Sequence, residues 1–458
     1  MSDTAPGARS PGSIPALLPC GQGHQFVLYG DACSGVPGAL HERTFAAVNA
    51  VVRRLVPHPE FIVFAGDEIA GLTPDAELLR SQWRHWLGNE MAWLDRSATP
   101  IWHCTGNHTA YDEMSEQIFR EMLNLPRNGP VGQEGLSYWI RRGDLLFVFV
   151  HTLCTGLGGE GFVETQWLGD VLREHGDARH KLVVGHHPVF PVNGYSGPYQ
   201  REIGPETTHS LWDTLVSNGV VAYLCSHILA FDVQVHRGVL QICAGGAGTA
   251  HRMPEGIEYL HCVQMTLEST GLRYQVLDID GHVRERLSWP VQHDATRYQV
   301  ALPRGTCRAP VSFPADRACI VLRFTGRASL GTQGASQTLL SMNHAGELPP
   351  LWLGMRGVEQ RLTAILQFEA GRSPHYWLGP RMEPGNQFDI ELMLHSDMGP
   401  GGIMYRAARD VGWTSMSAAS AWGLERLRAS EEWSIGHAPR GGADRPFTGT
   451  ELTAALVW

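Results

Sequence analysis

The stretch FVLYGD (26–31) opens a series of short apolar runs, each of which ends in a polar residue. The series continues with FIVFAGD (61–67), IWHCTGN (101–107), KLVVGHH (181–187) and VVAYLCSH (220–227). Such runs, dense in Val, Ile, Phe and Tyr, are typical of strands buried on both faces. Segments between them, such as HERTFAAVNAVVRRLV (41–56), carry apolar residues at three- and four-residue spacing, as amphipathic helices do. The alternation predicts a layered α/β domain.

The composition limits the classes of protein to which this chain can belong. The chain has 458 residues, a formal net charge of −10, and 43% hydrophobic against 18% charged residues, which is typical of two or three well-packed domains. No apolar run reaches the roughly 18 residues of a membrane helix, and the acidic balance does not favour nucleic acid, so we expect neither partner. The nine cysteines include no CxxC pair, and the N-terminus lacks the features of a signal peptide. We therefore expect a reduced, cytoplasmic setting.

Local composition and the pattern of apolar runs divide the chain into four segments. We expect a flexible N-terminus (1–23), a catalytic domain (24–285), a proline-containing linker (286–315) and an all-β sandwich (316–458). The last segment includes HYWLGPRMEPGNQFDIELMLH (375–395) and distantly resembles the concanavalin/laminin-G sandwich. Such a module could bind sugar, cover the active-site cleft or form a homo-oligomer contact.

Polar residues at five strand ends are the candidate site. In open α/β sheets ligands gather at the carboxyl ends of the strands, so these residues can converge on one cleft. Oxygen and imidazole donors of this mix suit Zn, Mn or Fe. The five residues are Asp31, Asp67, Asn107, His186 and His227.

The order of these motifs resembles the signature of the calcineurin-like metallophosphoesterases, which is D-x-H, G-D, G-N-H-[DE], a G-H element and G-H-x-H. The matching text is Asp31-Ala32-Cys33, Gly66-Asp67, Gly106-Asn107-His108-Thr109, Gly185-His186-His187-Pro188 and Ser226-His227-Ile228-Leu229. The resemblance covers about residues 24–285. It implies a four-layer α/β/β/α fold and metal-dependent hydrolysis of a phosphomonoester or phosphodiester, with a phosphorylated small molecule as substrate.

Two positions depart from that signature, since Cys33 and Leu229 stand where the family has histidine. By resemblance, one metal site is complete, with the ligands Asp67, Asn107, His186 and His227. The other is reduced to Asp31, the shared Asp67 and Cys33. The protein would then bind one ion, or two with Cys33 thiolate favouring Zn or Fe. Alternatively, it has become a ligand-binding or assembly protein, or a metal enzyme with non-phosphoester chemistry.

Histidines near these motifs are candidates for catalysis and substrate binding. By resemblance, His108 is the general acid that protonates the leaving group. Its usual acidic neighbour is Thr109 here, so the partner that orients the imidazole is open, with Asp112 as one option. His187 and His151 are candidates for substrate contact.

Overall fold

The computed structural model describes most of the chain. The described residues are 13–154, 159–160, 162–195, 203–249, 258–291, 299–329, 336–344, 349–367, 373–408, 410, 412–438 and 445–457.

The α-helices of this part of the chain are α1 Leu40–Val52, α2 Ala76–His85, α3 Glu113–Met122, α4 Thr165–Glu174 and α5 Pro205–Ser217. A π-helical turn, Trp86–Glu90, continues α2. The strands up to residue 289 are β1 Gly23–Tyr29, β2 Phe61–Phe64, β3 Ile101–His103, β4 Tyr138–Arg142, β5 Leu145–Phe149, β6 Leu153–Cys154, β7 Gly159–Glu160, β8 His180–Val184, β9 Ala222–Cys225, β10 Phe231–His236, β11 Val239–Ala244, β12 His261–Glu268, β13 Gly271–Asp278 and β14 Val283–Trp289.

Two six-stranded sheets form the N-terminal part of the molecule. The first has the order β14-β13-β12-β1-β2-β3, and the second has the order β10-β11-β9-β8-β5-β4. Strands β1, β2 and β3 run parallel, and so do β5, β8, β9 and β11. Their carboxyl ends can therefore present polar residues at one edge of each sheet.

Apolar side chains join the sheets to each other and to the helices. Phe26 stacks on Phe61 at 5.2 Å between ring centroids and meets Phe147 of the second sheet edge-on at 5.5 Å. On the other face of the first sheet, Phe45 of α1 stacks on Trp86 of the π-helical turn at 6.0 Å. Both faces of the strands are covered, which explains why their sequences are continuously apolar.

An all-β region follows. Its strands are β15 Val300–Leu302, β16 Gly305–Arg308, β17 Cys319–Arg327, β18 Gln337–Asn343, β19 Leu351–Arg356, β20 Arg361–Leu366, β21 His375–Arg381, β22 Gln387–His395, β23 Ile403–Ala407, β24 Thr414–Ser415, β25 Ser417–Ala418, β26 Glu432–Ile435 and β27 Thr450–Leu456. They form a six-stranded sheet, β15-β27-β17-β22-β23-β24, and a seven-stranded sheet, β16-β26-β18-β19-β20-β21-β25. One apolar cluster fills the space between these antiparallel sheets. The expectation of a mixed α/β domain followed by a large all-β region is confirmed.

The expected domain limits differ from the structure in two places. The segment 286–315 is not a linker, because it holds the end of β14 together with β15 and β16. Its prolines lie between or after these strands, where the missing N–H breaks no ladder. Near the N-terminus, Gln275 Nε2 donates to Pro15 O at 2.8 Å and Arg273 donates to Leu18 O at 2.6 Å. These contacts tie part of the expected flexible segment to β13.

The all-β region also contacts the loop that follows β8. Asn193 Oδ1 accepts from Ala418 N at 3.0 Å, and its amide donates to Asp232 Oδ1 at 3.1 Å. Gln241 Oε1 accepts from Val189 N at 2.8 Å in the same loop. The loop is thereby held from both sides. No helix of the described residues is long and apolar enough to cross a membrane.

Candidate metal centre

The candidate site residues come from the same edge of both sheets. Asp31, Asp67 and Asn107 lie two to four residues beyond β1, β2 and β3, whereas His186 and His227 lie two residues beyond β8 and β9. The structure brings all five together between the two sheets.

Four of these side chains face one another closely. Asn107 Oδ1 lies 3.0 Å from His186 Nε2 and 2.9 Å from His227 Nδ1. His186 Nε2 lies 3.2 Å from Asp67 Oδ2 and 3.3 Å from His227 Nδ1. Atoms that bind the same ion, each at about 2.0–2.2 Å from it, are separated from one another by distances like the 2.9–3.3 Å seen here. These oxygen and imidazole donors therefore fit a divalent transition metal, and we name the four residues the complete half of the centre.

Neighbouring backbone sets the orientation of His186. Its Nδ1 lies 2.8 Å from Ala65 O, so Nδ1 carries the proton and Nε2 is left as the donor atom. Gly66 permits this approach, because a Cβ there would stand 2.6 Å from that Nδ1, and its φ of +98° also favours glycine.

Electrostatics favour an ionised pair in this half. Burial raises the pKa of Asp67, but the charges of His186 and His108 outweigh burial and hold it below its usual range. Burial lowers the pKa of His186, yet the attraction of Asp67 is stronger and raises it to about 9. The cluster thus stabilises a positive charge, which a metal cation can supply in place of the proton.

The other half of the centre holds Asp31 and Cys33, and we name it the depleted half. Asp31 Oδ2 accepts from His227 N at 2.6 Å and from the hydroxyl of Ser226. Burial raises the pKa of Asp31 to about 6. The Cys33 thiol can approach Asp67 and His108 within 4.8 Å between ligand atoms.

Charge disfavours a thiolate at Cys33. Burial, followed by the charges of Asp67 and Asp31, raises the pKa of this thiol well above its usual value. Leu229, at the other expected histidine position, offers no donor atom.

Left-handed backbone is concentrated at the centre. Asp31 and Asp67 have φ values of 60°, Cys33 has 43° and His227 has 66°. Non-glycine residues rarely adopt this conformation, and such strain gathers at functional sites.

His108 has the geometry of a proton-transfer group. Its Nδ1 lies 2.6 Å from Ala70 O, and its backbone N–H donates to Asp67 Oδ1 at 2.8 Å. A backbone carbonyl therefore orients the imidazole and leaves Nε2 to exchange a proton. Thr109 instead accepts from Gly106 N at 2.9 Å, and Asp112 caps α3, so neither orients His108.

The two proposed substrate histidines differ in placement. His187 is buried, and its Nδ1 lies 2.8 Å from Thr152 Oγ1. Its ring centroid lies 4.4 Å from that of His227, with the two rings tilted by 49°. One ring nitrogen of His187 lies within 4.8 Å of one ring nitrogen each of His186 and His227, so the three could bind the same ion.

His151 lies apart from the candidate ligands, in the protein interior. Its Nδ1 lies 2.8 Å from Thr105 Oγ1, and its Nε2 lies 3.7 Å from Glu116. Only 1% of the residue is exposed, and its contact with substrate stays a prediction.

Thr249 also contributes to the candidate centre, although none of the five motifs includes it. Thr249 donates from its backbone N–H to Asp31 O at 3.0 Å and from its hydroxyl to the same oxygen at 2.5 Å. It belongs to AGGAGT (244–249), a glycine-rich segment at the end of another buried run. This segment is the sequence feature that could have pointed to Thr249.

Comparison with known proteins finds a similarity in the N-terminal part. Residues 24–231 match the family model of the calcineurin-like phosphoesterases. This part of the chain is similar to the calcineurin-like phosphoesterases. A search of curated protein sequences found no significant match.

Several solved structures resemble part of this chain. One is a purple acid phosphatase from yellow lupin (Lupinus luteus) seeds, with 14% identity, a TM-score of 0.45, and coverage of 57% of this chain and 52% of that one. Another is a dimetal phosphatase from Danio rerio, with 15% identity, a TM-score of 0.40, and coverage of 56% and 96%. The chain thus spans about half the length of the lupin protein.

Proposed function

We propose that the protein is a metal-dependent phosphoester hydrolase that acts on a phosphorylated small molecule with one tightly held ion. The observation that carries this proposal is the convergence of Asp67, Asn107, His186 and His227, whose donor atoms lie 2.9–3.3 Å apart along four pairs. The family match over residues 24–231 supports the reaction class.

The ion would be held by these four residues. When bound in such a site, a transition metal polarises a phosphoryl oxygen and lowers the pKa of water. Fe, Zn and Mn all suit the donor set.

His108 transfers the proton in this proposal. Since Ala70 O fixes Nδ1–H, the imidazole can donate from Nε2 to the oxygen of the leaving group. Asp67 couples this group to the metal ligands, because its Oδ1 accepts from His108 N while its Oδ2 faces His186.

Cys33 and Asp31 modulate the centre rather than hold a second tight ion. The raised pKa of the Cys33 thiol and the lack of a donor at Leu229 favour this assignment. Asp31 positions the turn of His227 through its bond to that residue's backbone N–H.

The proposal is tested with two chromogenic substrates, bis(p-nitrophenyl) phosphate and p-nitrophenyl phosphate. We expect hydrolysis of at least one, its loss after chelation, and its recovery when Fe, Zn or Mn is restored. Hydrolysis that survives chelation would contradict the metal requirement. If a metal-loaded chain hydrolyses neither, the assembly or ligand-binding alternative is favoured.

A further inference from the structure

A second cluster of metal-ligating side chains lies outside the centre, and we name it the Glu42–His85–Glu90 cluster. His85 Nε2 lies 2.7 Å from Glu42 Oε1 and 3.6 Å from Glu90 Oε1. One ligand atom from each residue lies within 4.8 Å of the other two. Two carboxylates and one imidazole are donors that Zn²⁺ and Mn²⁺ accept.

A change of helix type brings two of these residues together. His85 ends α2, and Glu90 ends the π-helical turn that follows. Met91 N donates to Trp86 O at 2.9 Å, which is the five-residue bond of a π-helix. The wider turn places residues 85 and 90 near the same face, and π-turns of this kind are frequent at functional sites.

Glu90 provides an independent sign of a ligand. Its side chain is only 4% exposed. Oε1 accepts from Ser34 Oγ and from Gly35 N, each at 2.9 Å. Oε2 is buried and has no hydrogen-bond partner among the described residues. A buried carboxylate oxygen without a donor is costly unless a ligand or ion satisfies it.

Both carboxylates are anchored to the loop 34–38. Glu90 holds Ser34 and Gly35, and Glu42 Oε2 accepts from Gly38 N at 2.6 Å. This loop follows Cys33 directly. An ion bound to both carboxylates would therefore fix the backbone next to the depleted half. A cavity of about 430 Å³ adjoins both carboxylates, and its lining also includes Arg43 and Arg53.

A surface cluster offers a contrast. Asp278, Asp280 and His282 also bring three ligand atoms within 4.8 Å. There His282 is 58% exposed, and Asp278 already bonds two backbone N–H groups and lies 3.6 Å from Arg284. It lacks a buried, unsatisfied oxygen and serves as the control.

We propose that Glu42, His85 and Glu90 form a separate binding site for a divalent transition cation of the Zn²⁺ or Mn²⁺ class, which fixes the loop 34–38. Water would complete the coordination. The inference does not depend on phosphoester hydrolysis, because it concerns binding and loop order alone.

The test is titration of the full-length chain with ZnCl₂ against a chromogenic chelator. In a background with His186→Ala and His227→Ala, which removes the centre, we expect one bound equivalent. Adding His85→Ala should weaken binding at least tenfold, whereas adding His282→Ala should leave it unchanged. Equal zinc affinity with and without His85→Ala would overturn the proposal.

A second measurement avoids the weakened background. In the otherwise unchanged chain, Zn²⁺ should raise the thermal midpoint less in Glu90→Gln than in the matched Asp280→Asn control. Equal shifts in both variants would also overturn the proposal. Both arms report binding without an activity assay, so their failure would leave the proposed hydrolase function intact.

Discussion

The complete and depleted halves of the candidate metal centre are built on the same kind of backbone but carry different side chains. Asp31 and Asp67 end neighbouring parallel strands with the same φ of 60°. On one side, Asp67 faces the imidazole of His186, which in turn lies beside Asn107 and His227. On the other, Asp31 accepts from Ser226 and His227, beside a thiol whose pKa is raised.

This difference teaches that the fold and the metal chemistry are specified separately. The strand ends keep the turn shape at both halves, whereas in the proposed function the donor atoms decide which half holds a cation. Strained backbone at Cys33 thus marks a position in the fold and does not by itself establish a ligand.

The largest effect is expected at the residue shared by both halves. Asp67→Asn should lower kcat/KM for the chromogenic phosphoester about 10³-fold, or about 4 kcal/mol, because the variant loses the anionic ligand that faces His186. Asp112→Asn is the matched control, since asparagine also caps a helix. If Asp67→Asn keeps more than about a tenth of the activity, the complete half is not the reaction centre.

Proton transfer is the next largest effect. His108→Gln should lower kcat about 10²-fold and flatten the dependence of kcat on pH, while the bound metal is retained. The exposed His209→Gln on α5 is the control and should behave like the parent. Loss of metal together with activity would assign His108 to ion binding in the depleted half instead.

The stability of the fold in acid is expected to depend on the buried His151, which is not one of the candidate metal ligands. Burial, with a smaller contribution from Arg120, lowers the pKa of His151 to about 3. Below the unfolded value of about 6.5, the unfolded chain binds a proton that the folded chain does not, so the free energy of unfolding decreases down to about pH 3. At pH 5 the loss is about 2 kcal/mol.

His151→Gln should therefore reduce the difference in unfolding free energy between pH 7.5 and pH 5 by about that 2 kcal/mol. Denaturant titration of the metal-free chain at both pH values measures it. His282→Gln, on the surface, should leave the difference as it is. An unchanged pH dependence in His151→Gln would show that another group carries it.

The smallest effect is expected in the depleted half. Cys33→Ala should change kcat/KM by less than about threefold, which is under 1 kcal/mol, because the four donors opposite are untouched. Cys104→Ala removes another buried thiol and controls for packing. A drop of tenfold or more, confined to Cys33→Ala, would make the thiol a functional ligand.

Much of the centre could be predicted from sequence because strand ends leave a local trace. Each candidate ligand follows an apolar run, and parallel strands place such ends at one edge. The partner of His108 could not be found this way, because Ala70 contributes only a backbone carbonyl. Nor could the interior contacts of His151 with Thr105 and Glu116, which depend on how separate segments pack.

Other features of the fold could not be predicted from the sequence for similar reasons. Prolines in 286–315 suggest a linker, yet they separate β14 from β15 and β16. The partners of these last two strands, β27 and β26, lie far away in sequence. The π-helical turn at Trp86–Glu90 continues α2, and apolar spacing alone does not distinguish such a turn from a continuing α-helix. The Glu42–His85–Glu90 cluster joins residues 43 positions apart and becomes visible only in the folded chain.

The most direct test of the central claim is elemental analysis of the purified chain in a His85→Ala background, which removes the second cluster. We predict one equivalent of transition metal, retained when Cys33→Ala is added and lost when His227→Ala is added. Two equivalents that fall to one with Cys33→Ala, or one equivalent that survives His227→Ala, would contradict it.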